Sequence, residues 1–138
     1  MRVVSSALQR TRELMNAAVP DCLVTAYESI EAGLQLPDVD DRHVLAAAIV
    51  GRADVIVTYN LRDFPTEVLG PYGIEAQHPD EFMRHLFDFN TPAVLFAVRA
   101  QRASLNRPPQ TARELLDTLQ ARGLVTLVSA LEPSIDLI

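Results

Sequence analysis

The sequence contains no lysine and no tryptophan, and a single cysteine, Cys22, in 138 residues. One cysteine cannot form an intrachain disulfide and cannot build a thiolate metal site. A lone cysteine is expected as a small core residue. No apolar run approaches the roughly 20 residues needed to cross a bilayer, and the N-terminal MRVVSSALQR has no long apolar segment of the signal-peptide kind. From these two absences a cytoplasmic location is the default expectation. All 12 basic residues are arginine, which suits phosphate or carboxylate recognition and is explained equally well by genome composition. The chain carries a formal charge of −6.

That charge is uneven. Residues 1–90 hold 7 arginines against 14 acids, giving −7, and residues 91–138 hold 5 arginines against 4 acids, giving +1. Non-specific nucleic-acid binding rests on cationic contacts to phosphate, so the acidic body argues against a plain RNA-binding module. It argues less against a metal-dependent nuclease, whose clustered carboxylates supply negative charge. The content of 49% apolar and 22% charged residues is that of a globular chain long enough for one modest core plus an appendage.

The most informative stretch is residues 36–65, LPDVDDRHVLAAAIVGRADVIVTYNLRDFP. Val44 to Val50 is apolar all round, with Ala46, Ala47 and Ala48 at its centre, as in a helix covered on most sides. Asp38 and Asp40 are cap-type residues before it, and Gly51 can end it. Val55, Ile56 and Val57 form a β-branched run expected of a parallel strand buried on both faces. A covering helix runs antiparallel to the strand that follows, so its N-terminus lies at the strand's C-terminal edge. That arrangement brings Asp40 and Asp41 beside Thr58, Asn60 and Asp63, at the edge where open parallel sheets bind ligands. Carboxylates gathered there repel unless protonated or bridged by a cation, and an oxygen-rich, thiol-free set suits Mg²⁺ or Mn²⁺. The competing reading makes the three aspartates caps and dipole partners, and Thr58 and Asn60 turn residues. It leaves Asp63 unexplained.

DDRHVLAAAI followed by DVIVTYNLRDFP resembles the C-terminal half of a PIN domain, and the match is specific over about residues 36–80. PIN domains include the toxic ribonucleases of VapC-type toxin–antitoxin pairs. YGIEAQHPDEF resembles the subgroup with a helical C-terminal extension. The resemblance implies the C-terminal part of a three-layer α/β/α parallel sheet in residues 1–89 and a small helical extension in 90–138. It implies an Mg²⁺- or Mn²⁺-dependent endoribonuclease, an RNA substrate, a cognate antitoxin and a possible homodimer. Asp41 and Asp63 would be the catalytic metal ligands, Asp40 a further candidate, and Thr58 and Asn60 supporting groups around them. The N-terminal strand and first acids of a PIN domain have no counterpart before residue 22. This chain is therefore expected to be a truncated form, weakly active or inactive. The alternative is a non-catalytic interaction module or a decayed PIN remnant. A phosphatase with an aspartyl nucleophile would need an acid early in a strand, and none is present.

Along the chain, residues 2–18 are expected as a helix with Val4, Leu8, Leu14 and Met15 on a stripe, ended by Pro20. Glu13 reads as a solvated side chain on it. Cys22 to Thr25 is a strand candidate and Tyr27 to Leu34 a helical turn, with Glu28 and Glu31 on its surface. Phe64-Pro65 is expected to plug the loop against the core. Thr66 to Leu69 is a turn of helix, Ile74 to Ala76 a last strand, and a helix starts at Pro79-Asp80-Glu81. His43 is expected on a helix face, and His78 and His85 are separated by Pro79, so none is assigned to a metal. Thr91 caps a helix over 92–105. Asn106 to Pro109 is a linker. Thr111 and Glu114 form a capping box for a helix that presents Leu115, Leu116 and Leu119 inward and ends at Gly123. Leu124 to Leu131 is a terminal helix or strand. Arg99, Arg102, Arg107 and Arg113 read as a solvated face that could also meet RNA phosphates.

Overall fold

A computed structural model describes residues 6–138. The fold is mixed α/β and mostly helical, and it packs as two compact units, residues 1–56 with 62–75 and residues 57–61 with 76–138. Val4 and the start of the first helix lie outside the described residues.

The first unit holds α1 (Ser6–Ala18), α2 (Glu28–Glu31), α3 (Arg42–Val50) and α4 (Thr66–Leu69). Its core is Leu34, Leu45, Ala46, Ala48, Ile56, Phe64, Leu69 and Ile74. Two runs supply it: the apolar segment of α3, with α2 packed on it, and the Phe64 plug, which is buried as its sequence suggested. Gly51 ends α3, and the reason is steric. A Cβ there would sit 2.9 Å from Val24 Cγ2 and 3.0 Å from the Ala47 carbonyl, so only glycine lets residues 22–25 approach. Those residues form no strand among the described residues, although Leu23 to Thr25 has β-type composition. Extended sequence becomes a strand only when a neighbour accepts its hydrogen bonds, and none does. Cys22 is exposed rather than a core residue, with Sγ 3.3 Å from Asn16 Oδ1. The stripe on α1 is likewise uncovered: no described residue of that helix is buried.

Among the described residues the sheet has two strands, β1 (Val55–Val57) and β2 (Glu75–Gln77), running parallel. Asp54 and Glu75 belong to the first unit, where the Glu75 N–H donates to the Asp54 carbonyl at 3.0 Å. Thr58 and Gln77 belong to the second, where the Thr58 N–H donates to the Gln77 carbonyl at 2.9 Å. The expectation of a strand buried on both faces is not met. Ile56 is buried, but Val57 is 43% exposed, so the β-branched run is covered on one side only.

The second unit is built from α5 (Pro79–Phe89), α6 (Thr91–Ser104), α7 (Ala112–Ala121) and α8 (Val125–Leu131), ending in a 3₁₀ segment, Glu132–Leu137. Its core is Val98, Leu115, Leu116, Leu127, Val128, Leu131 and Ile138, with Met83, Phe87, Leu95 and Leu119 packed against it. The segment left open between helix and strand is helix α8. The expected junction at Asn90-Thr91-Pro92 lies inside this unit, between α5 and α6. There the cap is Asn90, not Thr91: Asn90 Oδ1 accepts from the Ala93 N–H at 3.2 Å. Thr91 is the first helical residue and turns its hydroxyl back to the Phe87 carbonyl at 2.7 Å. The capping box forms as read, with the Glu114 N–H donating to Thr111 Oγ1 and the Thr111 N–H donating to Glu114 Oε2, both at 3.1 Å. Arg113 and Glu132 add a two-pronged ion pair that fixes α7 to the start of the terminal segment.

Leu116 has no exposed surface and stands at the centre of this helical core. Leu116→Ala is expected to cost about 2–5 kcal/mol of unfolding free energy, the range for leucine deletion in a packed interior. Urea denaturation followed by circular dichroism measures it. A loss below about 1 kcal/mol would show that this core is loosely packed.

Candidate functional site

The acids singled out in the sequence separate into two kinds. Asp38 and Asp40 are exposed, and Asp41 and Asp63 are half-buried. Asp38 is spent on local structure: its Oδ1 accepts from the Asp40 N–H at 2.9 Å, capping the 3₁₀ turn Val39–Asp41. Asp40 contributes its carbonyl, which takes a hydrogen bond from His43 Nδ1 at 2.7 Å. A carbonyl only accepts, so Nδ1 carries the proton, and His43 is occupied as a local brace. Asp41 holds the N-cap position of α3, yet its side chain makes no capping bond. Capping therefore explains Asp38 and does not explain Asp41.

The charge environment marks Asp41 further. Partial burial, then the Asp38 and Asp63 carboxylates, push its pKa above the ordinary carboxylate value of 3.8; Asp40 adds to this and His43 opposes it. Asp63, from the 3₁₀ turn Leu61–Asp63, is thus close enough to Asp41 to be felt as a like charge. The two residues are 22 positions apart in sequence. No arginine neutralises them, since the ion pairs among the described residues are Arg84–Asp88 and Arg113–Glu132. Unpaired carboxylates held together destabilise one another unless a proton or a cation intervenes. The chemistry of this donor set suits a hard divalent ion. It is an incomplete set: among the described residues no group of three or more His, Cys, Asp or Glu is arranged to hold a metal.

Thr58 and Asn60 lie in the second unit. The Asn60 N–H donates to Thr58 Oγ1 at 3.0 Å, a side-chain-closed turn just past β1. What holds this loop was not visible in the sequence. Tyr59 Oη donates to the Arg122 carbonyl at 2.9 Å, at the end of α7. The Tyr59 ring stands edge-on to His78 with centroids 5.0 Å apart. His78 caps α5, its Nδ1 accepting from the Asp80 N–H at 3.0 Å. Asp80 in turn accepts from the Thr126 N–H at 3.0 Å, the Thr126 hydroxyl at 2.9 Å and the Leu127 N–H at 2.9 Å. Local sequence showed Asp80 only as a first-turn acid. Its partners lie 46 and 47 residues away, and no spacing rule reaches that far.

Comparison with known proteins now adds to this geometry. Residues 79–133, which run from α5 to the start of the terminal 3₁₀ segment, match the family described as the VapC50 C-terminal domain. Over this part the chain is similar to that family. Among curated proteins it is similar to the "Putative ribonuclease VapC50" of Mycobacterium tuberculosis (strain ATCC 25618 / H37Rv). The two are 46% identical over 79 residues, which is 57% of this chain and 47% of the relative. The chain thus matches about half the length of that relative. No solved structure matches. No described helix is long and apolar enough to cross a membrane.

Asp80 gives a pH test. Burial alone would raise its pKa, but the hydrogen bonds from Leu127 and Thr126, with His78 nearby, outweigh burial and hold it below 3.8. A depressed carboxylate stabilises the fold above its unfolded pKa, and that stability is lost as pH falls through the folded value. Asp80→Asn is therefore expected to lower Tm at about pH 6, with the gap to wild type closing as pH drops below 3.8. Thermal melts across this range measure it; a gap independent of pH would remove the carboxylate from the account.

Proposed function

We propose that the chain is the C-terminal part of a metal-dependent PIN endoribonuclease of a VapC-type toxin–antitoxin pair, acting in the cytoplasm. The whole protein's sheet would be the three-layer α/β/α arrangement. Its partners would be an RNA substrate, a cognate antitoxin and a possible second copy. One observation carries the reading: Asp41 and Asp63 are half-buried, within electrostatic reach of each other and unpaired by any arginine among the described residues. A protein has no structural use for such a pair, and a divalent cation gives it one.

Asp41 and Asp63 would hold Mg²⁺ or Mn²⁺, with Asp40 as a further donor and the remaining ligands supplied from outside the described group. When bound, the ion supplies an activated water and neutralises charge developing on the phosphate. The chain's own contribution is to fix the two carboxylates. Asp41 is set by the first turn of α3. Asp63 is set by Phe64, whose buried ring anchors the turn before it. The capping bond made by Asp38 keeps that third carboxylate engaged locally. The alternative, a non-catalytic interaction module, is favoured by the absence of a three-ligand group among the described residues and by the uncovered stripe on α1.

Mn²⁺ titration separates the two. Adding Mn²⁺ is expected to raise the Tm of the wild-type chain in a concentration-dependent way. Asp41→Asn is expected to be more stable than wild type without metal, because it removes a like charge, and to gain nothing from Mn²⁺. A wild-type Tm indifferent to Mn²⁺, or one raised equally in Asp41→Asn, would end the nuclease reading and leave the interaction module.

A further inference from the structure

From Thr91 to Arg113 the chain contains four arginines and no aspartate or glutamate, in a protein whose net charge is −6. Arg113 is neutralised by Glu132, with Nη2 donating to Oε2 at 2.8 Å. Arg99, Arg102 and Arg107 have no ion-pair partner among the described residues. They are concentrated on α6 and the tight turn that follows it, where Asn106 and Pro109 bridge.

The helix sorts its residues by side. Val94, Val98 and Leu105 turn toward the core of the second unit, with Val98 7% exposed. Pro92, Phe96, Arg99 and Ala103 recur at spacings of four, three and four on the opposite side, and all are exposed. Phe96 is 76% exposed, an unusual position for a phenylalanine with a core available one turn away. Arg102 stands at the margin. It is half-buried, and its Nε is shielded from solvent with no hydrogen-bond partner.

We propose that this face of α6, with Phe96, Arg99 and Arg102 and with Arg107 beyond the helix end, docks single-stranded RNA. RNA as the occupant rests on the ribonuclease reading, while the surface itself rests on charge and exposure. Guanidinium groups bind phosphate with paired donors. An exposed aromatic ring beside them offers a plane on which an unpaired base stacks. A second copy of this chain fits the face less well, since the pairing would set Arg99 and Arg102 against their own equivalents. Arginines on a helix and turn that carry no acid of their own, in an acidic chain, also orient a polyanion towards them.

The test uses the full chain, a short unstructured fluorescein-labelled RNA and EDTA, so that binding is read without cleavage. Fluorescence anisotropy is followed from low to moderate salt. The triple variant Arg99→Gln, Arg102→Gln, Arg107→Gln is expected to weaken binding about tenfold or more and to reduce the salt slope by about 2, at about 0.7 per phosphate contact. Phe96→Ala is expected to weaken binding about fivefold or more with the slope unchanged. Arg10→Gln with Arg12→Gln, on α1, controls for charge alone and is expected to bind as wild type. Circular dichroism checks that each variant folds.

Equal binding by wild type and triple variant, or no binding by wild type, overturns the proposal. So does a Phe96→Ala effect confined to self-association in sedimentation, which would assign the face to a second copy. The Mn²⁺ response of Tm is measured separately. Arginine-dependent RNA binding with a Tm indifferent to Mn²⁺ would sink the nuclease reading and leave the surface standing. A Mn²⁺ response with RNA binding that ignores the arginines would do the reverse.

Discussion

The carboxylate of Asp80 is the contact on which the helical part of this protein depends. It sits in the first turn of α5 and takes three hydrogen bonds from the start of α8. Helix N-termini leave their first N–H groups without partners, and α8 has no side-chain cap of its own. A residue 46 positions upstream meets that need. The bond is charge-assisted and partly shielded, which makes it stronger than a neutral one. Because α5 and α8 are joined this way, Met83 and Phe87 are brought against Leu127, Val128 and Leu131, and the core closes around them. The segment matching the VapC50 C-terminal domain begins at Pro79, one residue before this contact.

The acids of the first unit show the opposite use of charge. Asp80 is ionised because donors surround it, whereas Asp41 is made harder to ionise by partial burial and by its neighbours Asp38 and Asp63. Folding leaves that cost uncompensated. Such an arrangement persists where something other than stability maintains it, and a bound cation would turn the repulsion into attraction. The same protein therefore holds one carboxylate that stabilises the fold and one whose charge the fold opposes.

Much of this was legible where the signal was local. The capping box at Thr111 and Glu114, the Phe64 plug, the helix stop at Gly51 and the inward leucines of α7 are all set within a few residues. That Asp63 would bear on Asp41 as a like charge was legible too, from the helix–strand rule that assigns each an edge. The losses have a common cause. Cys22 to Thr25 has strand composition, but a strand needs a partner that composition does not name. Val57 was read as covered on both sides because a β-branched run records preference for a pleated surface, not what packs on it. Asn90 and Thr91 are both good caps, and one dihedral decides between them. Among Asp38, Asp40 and Asp41 the sequence showed three candidates, and only hydrogen-bond geometry showed that Asp38 is engaged and Asp41 is not. Asp80 and Tyr59 were missed because their partners lie far along the chain.

Tyr59 has a consequence of its own. Its hydroxyl donates to the Arg122 carbonyl just past α7, 63 residues downstream, and its ring leans on the histidine that opens α5. The loop carrying Thr58 and Asn60 is thus moored to the extension rather than to its parent strand alone. A tail that looks like an accessory works as the jig in which that loop is set, and shortening it would cast the loop adrift.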